Sequence, residues 1–260
     1  MNKNSKIFWG VLILGLAIIG AVVYLYVLKK SNLDLTNDNN EEKTSTSNNE
    51  AANTKNIEGY RTKEELPPFP TGFDRINYGP KILSEIGPEQ RKKQEDNFKE
   101  LLDKIEKNPD SLDLWVGLGL IKNVFEDYAG ARDVWEYASV IRPANAVSFN
   151  NLGGLYWHYF KDYPKAEENY RKAISNMPEN PGLYKDLSDM YKYSYREKAG
   201  LADDVLLEAL QKNPGNVQVL IWLGDYYKTT DKAKARQYFT EALKIDPENF
   251  SIKKELDSLN

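Results

Sequence analysis

Apolar side chains return along this chain at helical spacing, in couples of segments. The first member of each couple carries a stripe: Trp115, Leu118 and Gly119; Phe149, Leu152, Gly153 and Tyr156; Tyr184, Leu187, Ser188 and Tyr191; Leu220, Leu223, Gly224 and Tyr227. Positions i, i+3, i+4 and i+7 share one face of an α-helix. The second member carries an alanine, an apolar residue, a second alanine and a closing proline at fixed offsets. These are Ala131–Trp135–Ala138–Pro143, Ala166–Tyr170–Ala173–Pro178, Ala202–Leu206–Ala209–Pro214 and Ala235–Phe239–Ala242–Pro247. Small alanines flank one large side chain and form a socket. Glycine or serine in the partner stripe lets the two helices approach closely. Proline ends the second helix and marks the turn to the next couple.

From Pro109 onward these prolines are spaced by 34, 35, 36 and 33 residues. A period of that length predicts a stacked-repeat architecture. Pro88, suited to a first helical turn, and Phe98, Leu101, Leu102 and Ile105 predict a capping helix over 89–109. The couples then run 112–145, 146–180, 181–216 and 217–249. A second cap is expected over 250–260, with Phe250, Ile252, Leu256 and Leu259 buried. Caps are required because a stack exposes apolar surface at both ends.

The pattern upstream is different. Residues 7–28 contain 22 residues without a charge. As a helix they span ~33 Å, enough for a bilayer core of ~30 Å. Trp9 near one end and Tyr24 and Tyr26 near the other suit the membrane interfaces. The apolar run is longer than a signal-peptide core and ends in Val-Leu-Lys-Lys, so an uncleaved transmembrane anchor is expected. Residues 1–6 then read as a short cytoplasmic tail, which places the repeats outside the cytoplasm. Residues 31–66 are rich in Asn, Ser, Thr, Glu and Lys, and are expected to form a disordered linker with a reach of ~30–36 Å. In the lead-in, residues 67–88, five prolines forbid a regular helix, while Phe69, Phe73 and Tyr78 give it something to bury. It is expected to pack on the first helix or to dock on the repeats.

The stripes and sockets together resemble the tetratricopeptide repeat, W-x2-L-G-x2-Y followed by A-x3-F and P. The resemblance covers about residues 112–249. Lys122 stands where the first repeat ordinarily has Tyr, and Ser188, Leu206 and Leu220 also depart from the pattern. It implies an all-α solenoid of about four helix pairs with capping helices, preceded by the transmembrane helix and linker. It also implies a concave face, lined by the first helices, that binds extended or helical peptides. Carried onto this chain, that face comprises Val116, Leu120 and Asn123; Asn150, Gly154, Trp157 and His158; Lys185, Asp189, Lys192 and Tyr193; Ile221, Asp225 and Lys228. Clamps for acidic chaperone tails in this family use basic and amide side chains. Here the matching positions are Val116, Leu120, Asn151, Gly182 and Asp186, and only Asn151 fits.

Composition narrows the function. Cysteine is absent and His158 is the single histidine, which removes thiolate chemistry and multi-histidine metal sites. The first 30 residues hold four lysines and no acid, leaving 31 basic against 39 acidic groups beyond them. That balance repels nucleic acid. No phosphate-cradling, dinucleotide or zinc-protease motif is present. The expectation is no catalysis, no cofactor, no metal, no small-molecule substrate and no nucleic acid. What remains is a membrane-anchored scaffold for a protein or peptide partner, with a chaperone-like holder of translocating chains or an accessory subunit of a membrane enzyme as alternatives.

Overall fold

The structure is a computed structural model and describes residues 61–259. The apolar stretch 7–28, the tail 1–6 and most of the expected linker lie outside the described residues. Among the described residues no helix is long and apolar enough to cross a membrane. The described residues are helical, with no strand, and divide into two compact units, the chain passing from the first to the second after Ile141.

The first unit contains α1 (Pro80–Glu85), α2 (Pro88–Lys107), α3 (Leu112–Val124) and α4 (Tyr128–Ile141). Phe98, Leu101 and Ile105 of α2 meet Trp115 and Leu118 of α3 and Val134, Tyr137 and Ala138 of α4 in one buried cluster. The α3/α4 couple closes as its glycine predicts: a Cβ on Gly119 would stand 2.2 Å from the Trp135 Nε1.

The lead-in docks on this unit. Phe69 meets Phe73 and Trp115 edge-on, each at 5.1 Å, and Tyr137 at 5.9 Å. Tyr78 meets Phe125 at 5.0 Å. Tyr137 Oη donates to the Pro67 carbonyl at 3.2 Å and Gly79 N–H to the Phe125 carbonyl at 2.9 Å. The strap turns at Gly72, whose φ of +73° suits glycine. It therefore touches the repeat couple as well as α2. Two expectations are corrected here. Proline does not keep the lead-in free of helix: Pro80 occupies the first turn of α1, where its missing N–H costs nothing. The linker also does not extend to 66. Arg61 N–H donates to Asp110 at 2.7 Å and its guanidinium to the same carboxylate at 3.2 Å, Lys63–Glu65 form a 3-10 turn, and Leu66 is buried. The Arg61–Asp110 contacts and the burial of Leu66 thus tie residues 61–66 to the first unit.

Lys122 explains its departure from the repeat pattern. Its side chain is fully buried, and its ammonium donates to Asp127 at 3.0 Å, to the Gly72 carbonyl at 3.3 Å and to the Arg75 carbonyl. Asp127 in turn accepts from the Gly130 N–H at 3.2 Å in the first turn of α4. One buried cation thus joins the strap to the α3/α4 turn.

The second unit repeats one plan. α5 (Val147–Leu155) pairs with α6 (Tyr163–Asn176), α7 (Pro181–Tyr193) with α8 (Ala202–Lys212), and α9 (Val217–Tyr227) with α10 (Lys232–Ile245), and α11 (Phe250–Ser258) closes the row on α10. The helix path leaves α5 through a π-turn, Tyr156–Phe160, and enters α8 through a 3-10 turn, Arg196–Leu201, so the longer connections are absorbed between partners. Ser188 fits where glycine is usual because its hydroxyl donates to the Ala202 carbonyl at 2.7 Å. Each closing proline is followed two residues later by asparagine. Asn145, Asn180, Asn216 and Asn249 accept from backbone N–H groups at the start of the next helix, at 2.7–3.2 Å. Phe250 corrects another expectation: as the first residue of α11 it is 77% exposed, while Ile252 and Leu259 are buried.

Adjacent couples are latched by tyrosine. Tyr191 Oη donates to Glu167 at 2.7 Å and Tyr227 Oη to Asp203 at 2.6 Å, each carboxylate lying one residue after the first socket alanine of the preceding couple. Loss of either hydroxyl in Tyr191→Phe or Tyr227→Phe is expected to cost about 1 kcal/mol, read as an earlier urea midpoint. An unchanged midpoint in both variants would mean that water replaces the latch.

Burial, then a hydrogen bond to Glu95, raises Tyr78 to about 12, and burial also raises Tyr191, Tyr227 and Tyr170. The folded state holds these phenol protons more tightly than the unfolded chain, whose tyrosines ionise near pH ~10. Their contribution is complete below pH ~10 and is lost as pH climbs through the folded values. Phenolate absorbance of these residues is therefore expected to appear together with loss of helical circular dichroism. Absorbance that completes while the helices persist would contradict this.

Candidate peptide-binding face

In the first unit, Val116 is 4% exposed and its carbonyl accepts from the Trp135 indole at 3.2 Å. It is part of the core, which corrects its placement on an open face. Leu120 and Asn123 are half-buried, and Asn123 Oδ1 has no partner among the described residues.

In the second unit, the first helices of successive couples present side chains that touch their neighbours. The Asn150 amide on α5 hydrogen-bonds Asp186 on α7. Lys185 pairs with Asp189 one turn further along α7, and its ammonium stands 5.8 Å over the Trp222 ring on α9. Lys192 stands over Tyr193 at 5.3 Å and over Tyr226 of α9 at 4.9 Å. Lys228 pairs with Glu255 of α11 and lies 3.9 Å from Asp225. Ile221, half-buried, stands beside Trp222. The expected residues Asn150, Lys185, Asp189, Ile221 and Asp225 thus lie along one row.

Trp157 and His158 belong to the π-turn at one end of that row. Their rings stack at 4.0 Å, and the Trp157 indole donates to Ser194 Oγ at 2.7 Å, which ties it to the next couple. His158 is exposed at its edge. Desolvation at its stacked face, then the Lys161 charge, lowers its pKa, so it is neutral at pH 7. Tyr193, at the end of α7, is 68% exposed.

Desolvation raises the Asp186 carboxyl above its ordinary value, with the Asn150 hydrogen bond opposing it. It raises Asp225 too, against Lys228. Both carboxyls lie on the face, not in the core. Sequence reasoning did not nominate Trp222 or Tyr226. The available signal was an aromatic pair on α9 outside the Leu220–Leu223–Gly224–Tyr227 stripe, with no place in the core. Among the described residues no group of three or more His, Cys, Asp or Glu side chains is placed to hold a metal ion.

Comparison with known proteins bears on this plan. No curated protein matches the chain. Among solved structures it is similar to YrrB, described as a TPR protein with an unusual peptide-binding site, at 17% identity over 61% of this chain and 81% of that one, with a TM-score of 0.44. It is similar to the C-terminal part of a TPR repeat-containing protein from Cytophaga hutchinsonii, at 22% identity over 64% and 68% of the two chains, with a TM-score of 0.48. It is also similar to pilF of Pseudomonas aeruginosa, at 21% identity over 68% and 86%, with a TM-score of 0.48. The tetratricopeptide repeat model matches residues 217–249, the α9/α10 couple, and the couples before it share the same helix-turn-helix plan.

Proposed function

We propose that the chain is a membrane-anchored interaction scaffold that holds an extended segment of a partner protein along α5, α7 and α9. The observation that carries this reading is the row of cross-helix contacts on the second unit, Asn150–Asp186, Lys185–Trp222 and Lys192–Tyr226. The row mixes half-exposed aromatic surface with fixed polar groups and supplies no nucleophile with a base, which suits holding better than chemistry. Residues 7–28 supply the anchor and the residues after them the tether, with the repeats outside the cytoplasm and a role in assembling an envelope complex.

Photo-crosslinking from Ile221 in membranes tests the scaffold. One saturable crosslinked partner, lost in Asn150→Ala, is the expected result. Many weak crosslinks would favour a chaperone-like holder, and a partner retained in full by Asn150→Ala would remove this face from the reading. Protease added to spheroplasts is expected to cut residues 31–60. Their survival would reverse the orientation.

A further inference from the structure

The face is not uniform along its row. Where α7 and α9 carry Asp189 and Asp225, two residues after a core leucine, α5 carries Gly154. A Cβ there would meet only the Tyr170 Oη, at 3.7 Å. The missing side chain leaves a notch with Asn150 one turn before it and Asp186 beside Asn150.

Hydrogen-bonding groups around this notch are unbalanced. Tyr170 is 2% exposed, and its hydroxyl forms the floor of the notch, 3.7 Å from where a Cβ on Gly154 would stand. Asn150 Oδ1 is buried and has no hydrogen-bond partner among the described residues. Asp186 and Asp189 are close enough to act electrostatically on Tyr170. The neighbouring donors are engaged: the Asn150 amide with Asp186, Lys185 with Asp189, and the Trp157 indole with Ser194. Two carboxylates against one ammonium leave a single excess negative charge beside an acceptor, Asn150 Oδ1, that is open to a donor.

We propose that the notch over Gly154 takes the cationic side chain, lysine or arginine, of an extended peptide bound along α5, α7 and α9. The cation supplies the missing donor to Asn150 Oδ1 above the Tyr170 hydroxyl, and its charge balances Asp186. The half-buried Trp157 ring, 6.5 Å from Tyr170, offers an aromatic wall to the aliphatic stem or guanidinium. The proposal rests on the reading of this face as a peptide site.

The probe is a random-sequence peptide display library panned on the full chain in detergent micelles, followed by synthetic copies of the selected peptides. Selected peptides are expected to share one Lys or Arg. Its replacement by norleucine or citrulline weakens binding about tenfold or more. Asp186→Asn weakens the parent peptide to a similar degree, and Gly154→Leu removes the preference for a base, with helical circular dichroism unchanged in both variants. Peptides that bind, lose affinity in Ile221→Glu, and tolerate loss of every basic residue would overturn the cation notch and leave the peptide face intact. A library that yields no binder at all would overturn both.

Discussion

Lys122→Ala is expected to destabilise the first unit by roughly 3–5 kcal/mol and to release the strap that precedes it. The ammonium is fully buried and serves three acceptors: the Asp127 carboxylate and the Gly72 and Arg75 carbonyls. Its removal leaves an uncompensated carboxylate at 4% exposure, the Arg75 carbonyl without this donor, and the Gly72 carbonyl with only the Arg75 N–H at 3.4 Å. Tyrosine, the residue usual at this position, is no rescue, because a phenol offers one donor where three acceptors wait. The loss is local because each repeat unit depends mainly on its neighbours. Amide exchange is the appropriate measurement. Protection at Phe73 and Gly79 is expected to fall, while protection in α7 and α9 stays. Unchanged protection of the strap would mean that Phe69 and Phe73, through their contacts with Trp115, hold it without the ion pair.

Those two rings show how far the sequence could be read. Aromatic residues among prolines announced a segment with something to bury, but nothing local to residues 67–79 says which surface receives it. The partner is Lys122, some 47–50 positions away, and a lysine inside an apolar stripe looks like a defect until the carbonyls it serves are seen. The couples themselves were legible because their code is local. A glycine or serine, a large side chain and two alanines fix the approach of two helices within one period. Pro-x-Asn is equally local as a cap signal, with the asparagine two residues after each closing proline capping the next helix. The fate of Phe250 was not legible: periodicity assigns a residue to a helix face, and a first-turn residue has little face to share. On the candidate face, Asn150, Lys185, Asp189, Ile221 and Asp225 followed from a fixed offset to the core stripe. Trp222 and Tyr226 lie off that offset and contribute through the lysines of the preceding couple. Val116 follows the offset and is buried, because a rule of spacing does not know that the Trp135 indole reaches its carbonyl.

The neighbouring glycines of α5 make the sharpest test of the couple code, because they are expected to answer in opposite directions. At Gly153 a Cβ would stand 2.7 Å from Cδ1 and from Cε1 of Tyr170. That ring is 2% exposed and walled by the Ala166 and Ala173 socket, so it has no room to retreat. Gly153→Ala must part α5 from α6 or force the ring off its rotamer, which costs roughly 1–3 kcal/mol. Gly119 and Gly224 face Trp135 and Phe239 in the same way, at 2.2 and 2.6 Å, and are expected to behave alike. At Gly154, one residue on, the added methyl meets only the Tyr170 Oη at 3.7 Å, an ordinary contact. There the substitution gains helix propensity, about 0.5–1 kcal/mol. Urea unfolding of the two single variants reads the difference directly: Gly153→Ala moves the midpoint down and Gly154→Ala moves it up. Two shifts of the same sign would mean that the glycines serve α5 through its own backbone, and that close approach to the tyrosine socket is not what selects them.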